Sequence, residues 1–193
     1  MPQTQDKSAG SDRWREDEQR WAGWMRAAHG GDSEAYERLL QELGRVIEQY
    51  IRVRFGAIDG LEDCVQECLI TVHRARHTYD VKRPFRPWLF TLVRHQTIDV
   101  LRRGVKEREQ RDLNSEAEPS IDANQLHRRL DGVRVLENLD PDHREAVALT
   151  QYAGFTAAEA ANWLGISESA LKGRLRRGLL AIRKHLEAEG LPT

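Results

Sequence analysis

The chain has 193 residues, enough for one large domain or two small ones, and its 30 Lys and Arg nearly balance 31 Asp and Glu. No apolar run reaches the length of a membrane span and the N-terminus lacks the apolar core of a signal peptide, which favours a soluble intracellular protein. The charge is unevenly distributed: bases outnumber acids eight to two between Lys82 and Arg108, whereas acids lead ten to seven between Met1 and Glu48. Local cationic stretches on a near-neutral chain are typical of a protein that contacts nucleic acid with part of its surface.

Two helices are predicted in the N-terminal quarter. The first 20 residues are polar and predict a loose extension, followed by a short helix from Trp21 to Ala28 that ends at a Gly-Gly pair. A longer helix begins near Asp32 and runs to about Phe55. Its apolar residues recur at helical spacing and form one stripe: Ala35, Leu39, Leu43, Val46, Ile47, Tyr50 and Ile51.

A third helix, from Leu61 to about His77, contains both cysteines of the chain, and its apolar stripe is Val65, Leu69 and Val72. The spacing of Cys64, Cys68, His73 and His77 is similar to that of a zinc finger. On one continuous helix, however, the histidines project roughly opposite to Cys64, so four ligands do not converge on one ion. We therefore expect no bound metal and two buried thiols, with a transient two-ligand site or a redox-sensitive pair as the alternatives.

Two prolines separate this helix from the next. Pro84 lies in a loop, and Pro87 suits the first position of a helix that runs to Arg103. The following stretch, KEREQRDLNSEAEPSIDAN, is charged and has no sustained apolar stripe, which predicts a flexible linker over residues 105–124.

Helical periodicity resumes at Leu126 and no segment has the pattern of a strand. The fold prediction is therefore all-α. It comprises a flexible extension (1–20), a helical domain (21–104), a flexible linker (105–124) and a second small helical domain (125–190).

The segment from Phe155 to Ile182 has the pattern of a helix-turn-helix. Thr156 and Glu159 have the spacing of a capping box, and Gly165 stands where a left-handed residue ends the first helix. Ser167 can cap the second helix, and Ala161 is small where two helices cross closely. A helix-turn-helix places its second helix in the major groove of DNA, so the pattern predicts duplex binding.

The second helix has six Lys or Arg and no acid between Ser169 and Leu186. Helical spacing predicts a buried side made of Ile166, Ala170, Leu171, Leu175, Leu179 and Ile182. The other side carries the candidate base contacts, which are Ser169, Lys172, Gly173, Arg176 and Arg177. Three further cations are candidates for phosphate or structural contacts: Arg174, Arg183 and Lys184. The alternative is an amphipathic surface helix whose charges are solvated.

Together these segments resemble a known family. The run EDCVQECLITVHRARHTYDVKRPFRPWLFTLVRHQTIDVLRR resembles the core of region 2 of bacterial sigma factors of the extracytoplasmic-function group, and the helix-turn-helix resembles their region 4. The resemblance implies a dissociable, cytoplasmic specificity subunit of RNA polymerase. Its partners would be core RNA polymerase, promoter DNA and an anti-sigma factor, often a membrane-bound one. No cofactor, metal, catalytic residue or small-molecule substrate is implied.

The same resemblance implies three functional surfaces. The cysteine-bearing helix would dock on the polymerase clamp through Asp63, Gln66, Glu67 and Ile70. The recognition helix would bind the minus-thirty-five element through Ser169, Lys172, Gly173, Arg174, Arg176 and Arg177. The loop and helix that follow the cysteines would capture the melted minus-ten strand, which requires cations together with aromatic faces or base pockets. The residues assigned to this task are Lys82, Arg83, Phe85, Trp88, Arg94, His95, Asp99, Arg102 and Arg103.

Functions from two other classes are alternatives to this one. A stand-alone helix-turn-helix regulator would bind duplex DNA without polymerase, but it has no need of the cationic, aromatic segment before Trp88. An enzyme is disfavoured because the sequence contains no P-loop, dinucleotide-binding glycines or nucleophile constellation. The linker acids could mimic nucleic acid near the polymerase active centre or could simply keep a tether soluble: Glu107, Glu109, Asp112, Glu116, Glu118 and Asp122.

Overall fold

A computed structural model describes residues 6–56, 58–114 and 139–188, and these residues contain helices, turns and no strand. The all-α prediction is confirmed. The helices in chain order are α1 (Asp6–His29), α2 (Ser33–Phe55), α3 (Leu61–Ala75), α4 (Phe85–Asn114), α5 (Pro141–Val147), α6 (Ala157–Leu164) and α7 (Glu168–Ala188). A 3₁₀ turn, Arg76–Thr78, follows α3, and a π-helical turn, Ala148–Tyr152, follows α5.

The N-terminal helix is much longer than predicted. It begins at Asp6 rather than Trp21, so most of the expected loose extension is helical. The sequence before Trp21 is polar and has no apolar stripe, so it does not indicate a helix. The helix contacts the rest of the molecule through only a few residues. Trp21 and Met25 are fully buried, and α1 packs along α2 and against α4.

Helix α2 forms as its sequence predicts. The Asp32 carboxylate caps it by accepting a hydrogen bond of 2.9 Å from the backbone N–H of Ala35. Leu39, Leu43 and Ile47 of the predicted stripe are fully buried. The helix ends at Gly56, whose φ of 78° lies in the region that favours glycine.

Helix α4 differs from the prediction at both ends. It begins at Phe85, two residues before Pro87, because the Glu18 carboxylate of α1 accepts hydrogen bonds from the backbone N–H groups of Phe85 and Arg86. This cap comes from a distant helix, so local sequence does not reveal it. The helix continues to Asn114, which corrects the expected linker start at residue 105. The remainder of the predicted linker, residues 115–124, lies outside the described residues.

The helix-turn-helix prediction is confirmed in detail. Thr156 and Glu159 form a reciprocal capping box, and Gly165 ends α6 with a φ of 64°. The Ser167 hydroxyl accepts a hydrogen bond of 3.2 Å from the backbone N–H of Ala170 at the start of α7. Ala161 is buried where the helices meet.

The buried side of α7 is rotated from the predicted one. Leu171 and Gly178 are buried, Ile166, Leu175 and Ile182 are half-buried, and Ala170 and Leu179 are exposed within the part of the chain that the structure describes. The reason is Gly178, where an added Cβ would lie 3.0 Å from the Val147 side chain and 3.2 Å from the His143 carbonyl. The closest approach of α7 to α5 therefore centres on a glycine, which an apolar pattern does not indicate.

The two predicted domains share one hydrophobic core. Phe90 of α4 packs on Tyr50 of α2 at a ring-centroid distance of 4.8 Å and on Phe155 of the C-terminal segment at 6.0 Å. All three residues are almost completely buried. We call residues 6–114 the N-terminal unit and residues 139–188 the C-terminal unit, and the structure packs one directly against the other.

Candidate nucleic-acid interface

The outer face of α7 presents the predicted base contacts. Ser169, Lys172, Arg176 and Arg177 are exposed, and Gly173 between them is half-buried. Lys172 forms an ion pair of 2.6 Å with Glu168, and the Arg177 Nε–H donates to His143 Nε2 at 3.0 Å. Arg176 has no ion pair among the described residues. It is therefore the cation on this face that is most available for a guanine edge.

Arg174 lies apart from this face. At about 100° per residue it is about 200° from both Lys172 and Arg176. Its side chain is 26% exposed and pairs with Asp142 of α5 at 2.7 Å. Arg174 thus joins two helices of the C-terminal unit, and its assignment to the minus-thirty-five contacts stays a prediction.

The loop before α4 forms a cleft of about 540 Å³ around Trp88. The Trp88 indole is half-buried, its Nε1–H donates to the Thr78 hydroxyl at 3.1 Å, and its ring packs at 5.2 Å from Tyr79. Lys82 and Arg83 of the same loop are exposed. The cleft is lined by Thr78, Tyr79, Asp80, Arg83, Pro84, Pro87, Trp88 and Thr91.

The sequence predicted Arg83 and Trp88 of this cleft but not Thr78 and Tyr79. Tyr79 precedes the prolines by only a few residues, so a search for aromatic residues flanking Pro84 and Pro87 would have found it. Burial raises the pKa of Tyr79, with a smaller contribution from Glu18, so its hydroxyl stays protonated. That hydroxyl donates to the Arg83 carbonyl at 2.9 Å and holds the loop in place.

Phe85 is not available for stacking. Its ring is fully buried between Trp21, Tyr79 and Trp88, with centroid distances of 5.1–6.1 Å. The predicted role as an aromatic face for bases is wrong for this residue, which supports Trp88 from beneath. A stretch rich in cations and aromatic residues predicts that some of its rings lie at the surface. Only the tertiary packing decides which of these rings is exposed.

The remaining predicted strand contacts lie along α4. His95 and Asp99 are exposed one turn apart, and Asp99 Oδ1 lies 3.9 Å from Arg102 Nη1. Arg94 lies 3.8 Å from Glu145 of the C-terminal unit. Arg103 pairs with Glu67 of α3. The helix therefore presents His95 and an exposed Asp99–Arg102 pair to solvent, whereas Arg94 and Arg103 form ion pairs with other helices.

Helix α3 presents the predicted polymerase contacts, with one exception. Asp63 and Gln66 are exposed, and Ile70 is an exposed apolar residue. Glu67 is half-buried and holds α4: it pairs with Arg103 and accepts a hydrogen bond of 2.7 Å from Gln96. This carboxylate therefore faces the neighbouring helix as well as solvent.

The cysteines lie on the inner side of α3. Both thiols are buried, within 3.9 Å of the Thr97 hydroxyl of α4. The hydrogen bond from Cys64 and burial both raise the pKa of Cys68. His73 lies on the surface, where its Nδ1 is 3.1 Å from the Tyr36 hydroxyl, and His77 is exposed in the 3₁₀ turn. Residues 6–56, 58–114 and 139–188 contain no group of acids, cysteines and histidines placed to hold a metal.

A second cleft, of about 570 Å³, lies between the two units. Thr91, Arg94 and His95 contribute from α4, and Asp142, Glu145 and Arg174 are among the residues contributed by the C-terminal unit. The His95 side of α4 therefore faces the helix-turn-helix. No helix among the described residues is long and apolar enough to cross a membrane.

Comparison with known proteins explains this combination of surfaces. Residues 35–107 match the family model Sigma-70 region 2, and residues 135–184 match Sigma-70, region 4. The ECF RNA polymerase sigma factor SigF of Caulobacter vibrioides is 34% identical over 158 residues, which cover 81% of this chain and 88% of SigF. RNA polymerase sigma factor CnrH of Cupriavidus metallidurans is 31% identical over 179 residues, covering 84% and 92%.

A solved structure of CnrH in complex with the cytosolic domain of CnrY shares the fold. Its TM-score is 0.60 at 26% identity, covering 88% of this chain and 98% of CnrH. The chain belongs to the sigma-70 family of RNA polymerase sigma factors. Within that family it is an alternative sigma factor of the extracytoplasmic-function group, which binds core RNA polymerase and promoter DNA.

Proposed function

We propose that three separate surfaces divide the work of promoter recognition. The outer face of α7 reads the minus-thirty-five duplex, the loop cleft at Trp88 with the outer face of α4 captures the melted minus-ten strand, and the exposed face of α3 docks on core polymerase. The observation that carries the proposal is the cleft at Trp88. It combines an aromatic face with exposed Lys82 and Arg83 beside it, as single-strand capture requires and duplex binding by a regulator does not.

Strand opening on this proposal is not catalysis. The chain binds the separated strand more tightly than the paired one, and this difference in binding free energy shifts the equilibrium towards the open promoter. An extruded base enters the cleft and stacks on Trp88, while Lys82, Arg83 and Arg102 contact phosphates. No bond is made or broken by the protein.

The polymerase contact on this proposal uses Asp63, Gln66 and Ile70. An exposed apolar residue surrounded by polar ones is typical of a binding surface. Glu67 contributes by orienting α4 through Gln96 and Arg103. On this proposal, α3 contacts polymerase with one side and α4 with the other. The position of α4 relative to polymerase is therefore fixed.

The chain acts in the cytoplasm, where core polymerase meets promoters, and an anti-sigma factor holds it inactive until a signal arrives. The relative CnrH is solved with the cytosolic domain of CnrY, which supports a second protein as the regulator of this chain. Affinity purification of the full-length chain from cells before and after stress would test this part of the proposal. A stoichiometric partner should be present before the signal and lost after it.

Run-off transcription tests the central proposal. Core polymerase is combined with the chain on a template that contains its own upstream region. We expect a discrete transcript that requires the chain, and the variant Trp88→Ala should lose it on duplex DNA but regain it on a pre-melted bubble. Binding to the duplex without any transcript would instead support a stand-alone regulator.

A further inference from the structure

We propose that Arg26 and Arg76 bind phosphates of the melted minus-ten strand where that strand leaves the cleft at Trp88. The proposal rests on the proposed function of this cleft and adds two contacts to it. Both arginines lie outside the loop and helix to which the sequence assigned strand capture. Arg26 belongs to α1, which precedes the region 2 match at residues 35–107, and Arg76 begins the 3₁₀ turn after α3.

One face of α4 indicates the path of the strand. This face consists of solvent-accessible residues at intervals of three or four: Trp88, Thr91, His95, Asp99 and Arg102. At about 1.5 Å per residue the face is about 21 Å long from Trp88 to Arg102. A strand that follows it and stacks on Trp88 then passes beyond the first turn of α4. The next part of the surface that it meets is the one beside Thr78 and Tyr79, which line the same cleft.

The 3₁₀ turn Arg76–Thr78 forms a wall of this cleft. The Thr78 hydroxyl accepts a hydrogen bond of 3.1 Å from the Trp88 Nε1–H, which fixes the turn against the indole. Arg76 lies two residues before Thr78 and is exposed. Its Nη1–H donates to the His73 carbonyl at 2.6 Å. A guanidinium has five N–H donors, so this one hydrogen bond orients the group and leaves donors for a phosphate.

Helix α1 brings Arg26 to the same part of the surface. His29, one turn further along α1, has its Nε2 3.0 Å from the Arg76 carbonyl, so the end of α1 contacts the turn. Arg26 is exposed. Burial and Glu18 raise the pKa of Tyr79, whereas the positive charge of Arg26 lowers it. Arg26 therefore lies within electrostatic reach of a tyrosine that lines the cleft.

Two acids near the cleft are engaged by other groups and do not neutralise these arginines. Asp80 lies 3.6 Å from Arg83, and Glu18 accepts hydrogen bonds from the first backbone N–H groups of α4. Within residues 6–56, 58–114 and 139–188, neither Arg26 nor Arg76 forms an ion pair with an acid. Cations beside an aromatic cleft are what the backbone of a single strand requires.

Phosphate contacts can be counted from the salt dependence of binding. Each phosphate of a single strand that a cation neutralises contributes about 0.7 to the slope of log affinity against log salt concentration. Loss of Arg26 or Arg76 should therefore reduce the magnitude of the slope by about 0.7, and loss of both by about 1.4. Stacking of a base on Trp88 neutralises no phosphate, so the slope separates the arginines from the ring.

The test uses holoenzyme assembled from core polymerase and the full-length chain. Fluorescence anisotropy measures the affinity for a labelled single-stranded minus-ten oligonucleotide between about 50 and about 200 mM salt. We expect Arg26→Ala and Arg76→Ala to show the reduced slope, and Arg26→Lys and Arg76→Lys to retain most of it because lysine keeps the charge. Arg45→Ala is the matched control, since Arg45 is an exposed cation of α2 that lies near Glu42. Its slope should equal that of the unmodified chain.

Three results would overturn the proposal: an unchanged slope for both alanine variants, an equal reduction for Arg45→Ala, or an equal reduction for the lysine variants. Weaker binding at an unchanged slope would count against it as well, because the arginines would then only hold the turn in place. Circular dichroism checks that each variant keeps its helices. Failure of the proposed function has a different signature, since the unmodified holoenzyme and Trp88→Ala would then bind the oligonucleotide equally.

Discussion

At the scale of single residues, α7 separates cations that are available from cations that are already paired. Arg176 is exposed and has no ion pair among the described residues, Lys172 shares its charge with Glu168, and Arg174 is held by Asp142. An exposed ion pair within one helix is weak, so Lys172 can leave Glu168 for DNA at little cost.

We predict that Arg176→Ala and Lys172→Ala each weaken binding to a minus-thirty-five duplex by about 1–3 kcal/mol. Arg183→Ala is the control, because Arg183 is an exposed cation two turns further along α7 that pairs with Glu187. Fluorescence anisotropy measures duplex affinity, and a polymerase pull-down should show unchanged core binding. Equal losses for all three variants would mean that α7 contributes only general charge.

Variants of His95 and Asp99 can test strand capture without a loss of protein stability that would confound the result. Both side chains are exposed, so their removal should change the free energy of unfolding by less than about 0.5 kcal/mol. We predict that His95→Ala and Asp99→Ala retain duplex binding, reduce permanganate reactivity of minus-ten thymines and recover transcription on a bubble template. Loss of stability together with polymerase binding would show instead that the residues are structural.

The accessibility of the two cysteine thiols tests whether the inner side of α3 is packed against α4. Because both thiols are buried, we predict that a thiol reagent labels neither in the native chain and labels both after unfolding. Elemental analysis of untagged protein should find no stoichiometric zinc. One zinc per chain, or rapid native labelling, would contradict the placement of Cys64 and Cys68 against Thr97.

At the scale of elements, α1 supports the start of α4 although it precedes the region 2 match at residues 35–107. Its Glu18 caps α4, whose outer face and preceding loop carry the proposed strand contacts. The free N–H groups at a helix start favour a negative charge, so the carboxylate stabilises α4 from outside its own sequence.

Glu18→Ala should therefore lower the free energy of unfolding by about 0.5–2 kcal/mol, as loss of a helix cap does. Glu16→Ala is the matched control, since Glu16 is an exposed acid of the same helix. Urea unfolding followed by circular dichroism measures both. If the two variants are equally stable, α4 does not depend on this cap.

At the scale of the whole molecule, the shared core predicts that the two units unfold together. Phe90 contacts both Tyr50 of its own unit and Phe155 of the C-terminal unit, so the two units share buried aromatic residues. We predict one thermal transition, with coincident midpoints from circular dichroism and from tryptophan fluorescence. Two resolved transitions would show that the units fold independently.

The same contact should make Phe90→Ala costly. Removal of a fully buried ring typically destabilises a protein by about 3–5 kcal/mol. Leu180→Ala is a control because Leu180 is 51% exposed, and it should change stability by about 0.5 kcal/mol or less. A small effect of Phe90→Ala would indicate that the interface between the units collapses easily around the missing ring.

Local chemistry alone determined most of the secondary structure of this chain. Helix α2 and the helix-turn-helix were predictable because their signals act within a few residues: a cap at Asp32, a capping box at Thr156 and a left-handed glycine at Gly165. The periodicity of apolar residues then indicated which side of α2 is buried. The same helical spacing indicated which cations of α7 face outward.

Only the tertiary structure decided which of these residues are free to act. Glu18 caps a helix 67 residues away, Phe85 is covered by the ring of Trp21 from α1, and Gly178 rotates α7 towards α5. Sequence pattern records neighbours along one element, whereas these contacts join elements that are far apart in the chain. The packing of the two units belongs to the same category, because Arg86 meets the Ala153 carbonyl and Arg54 meets Glu145 only when the units are in contact.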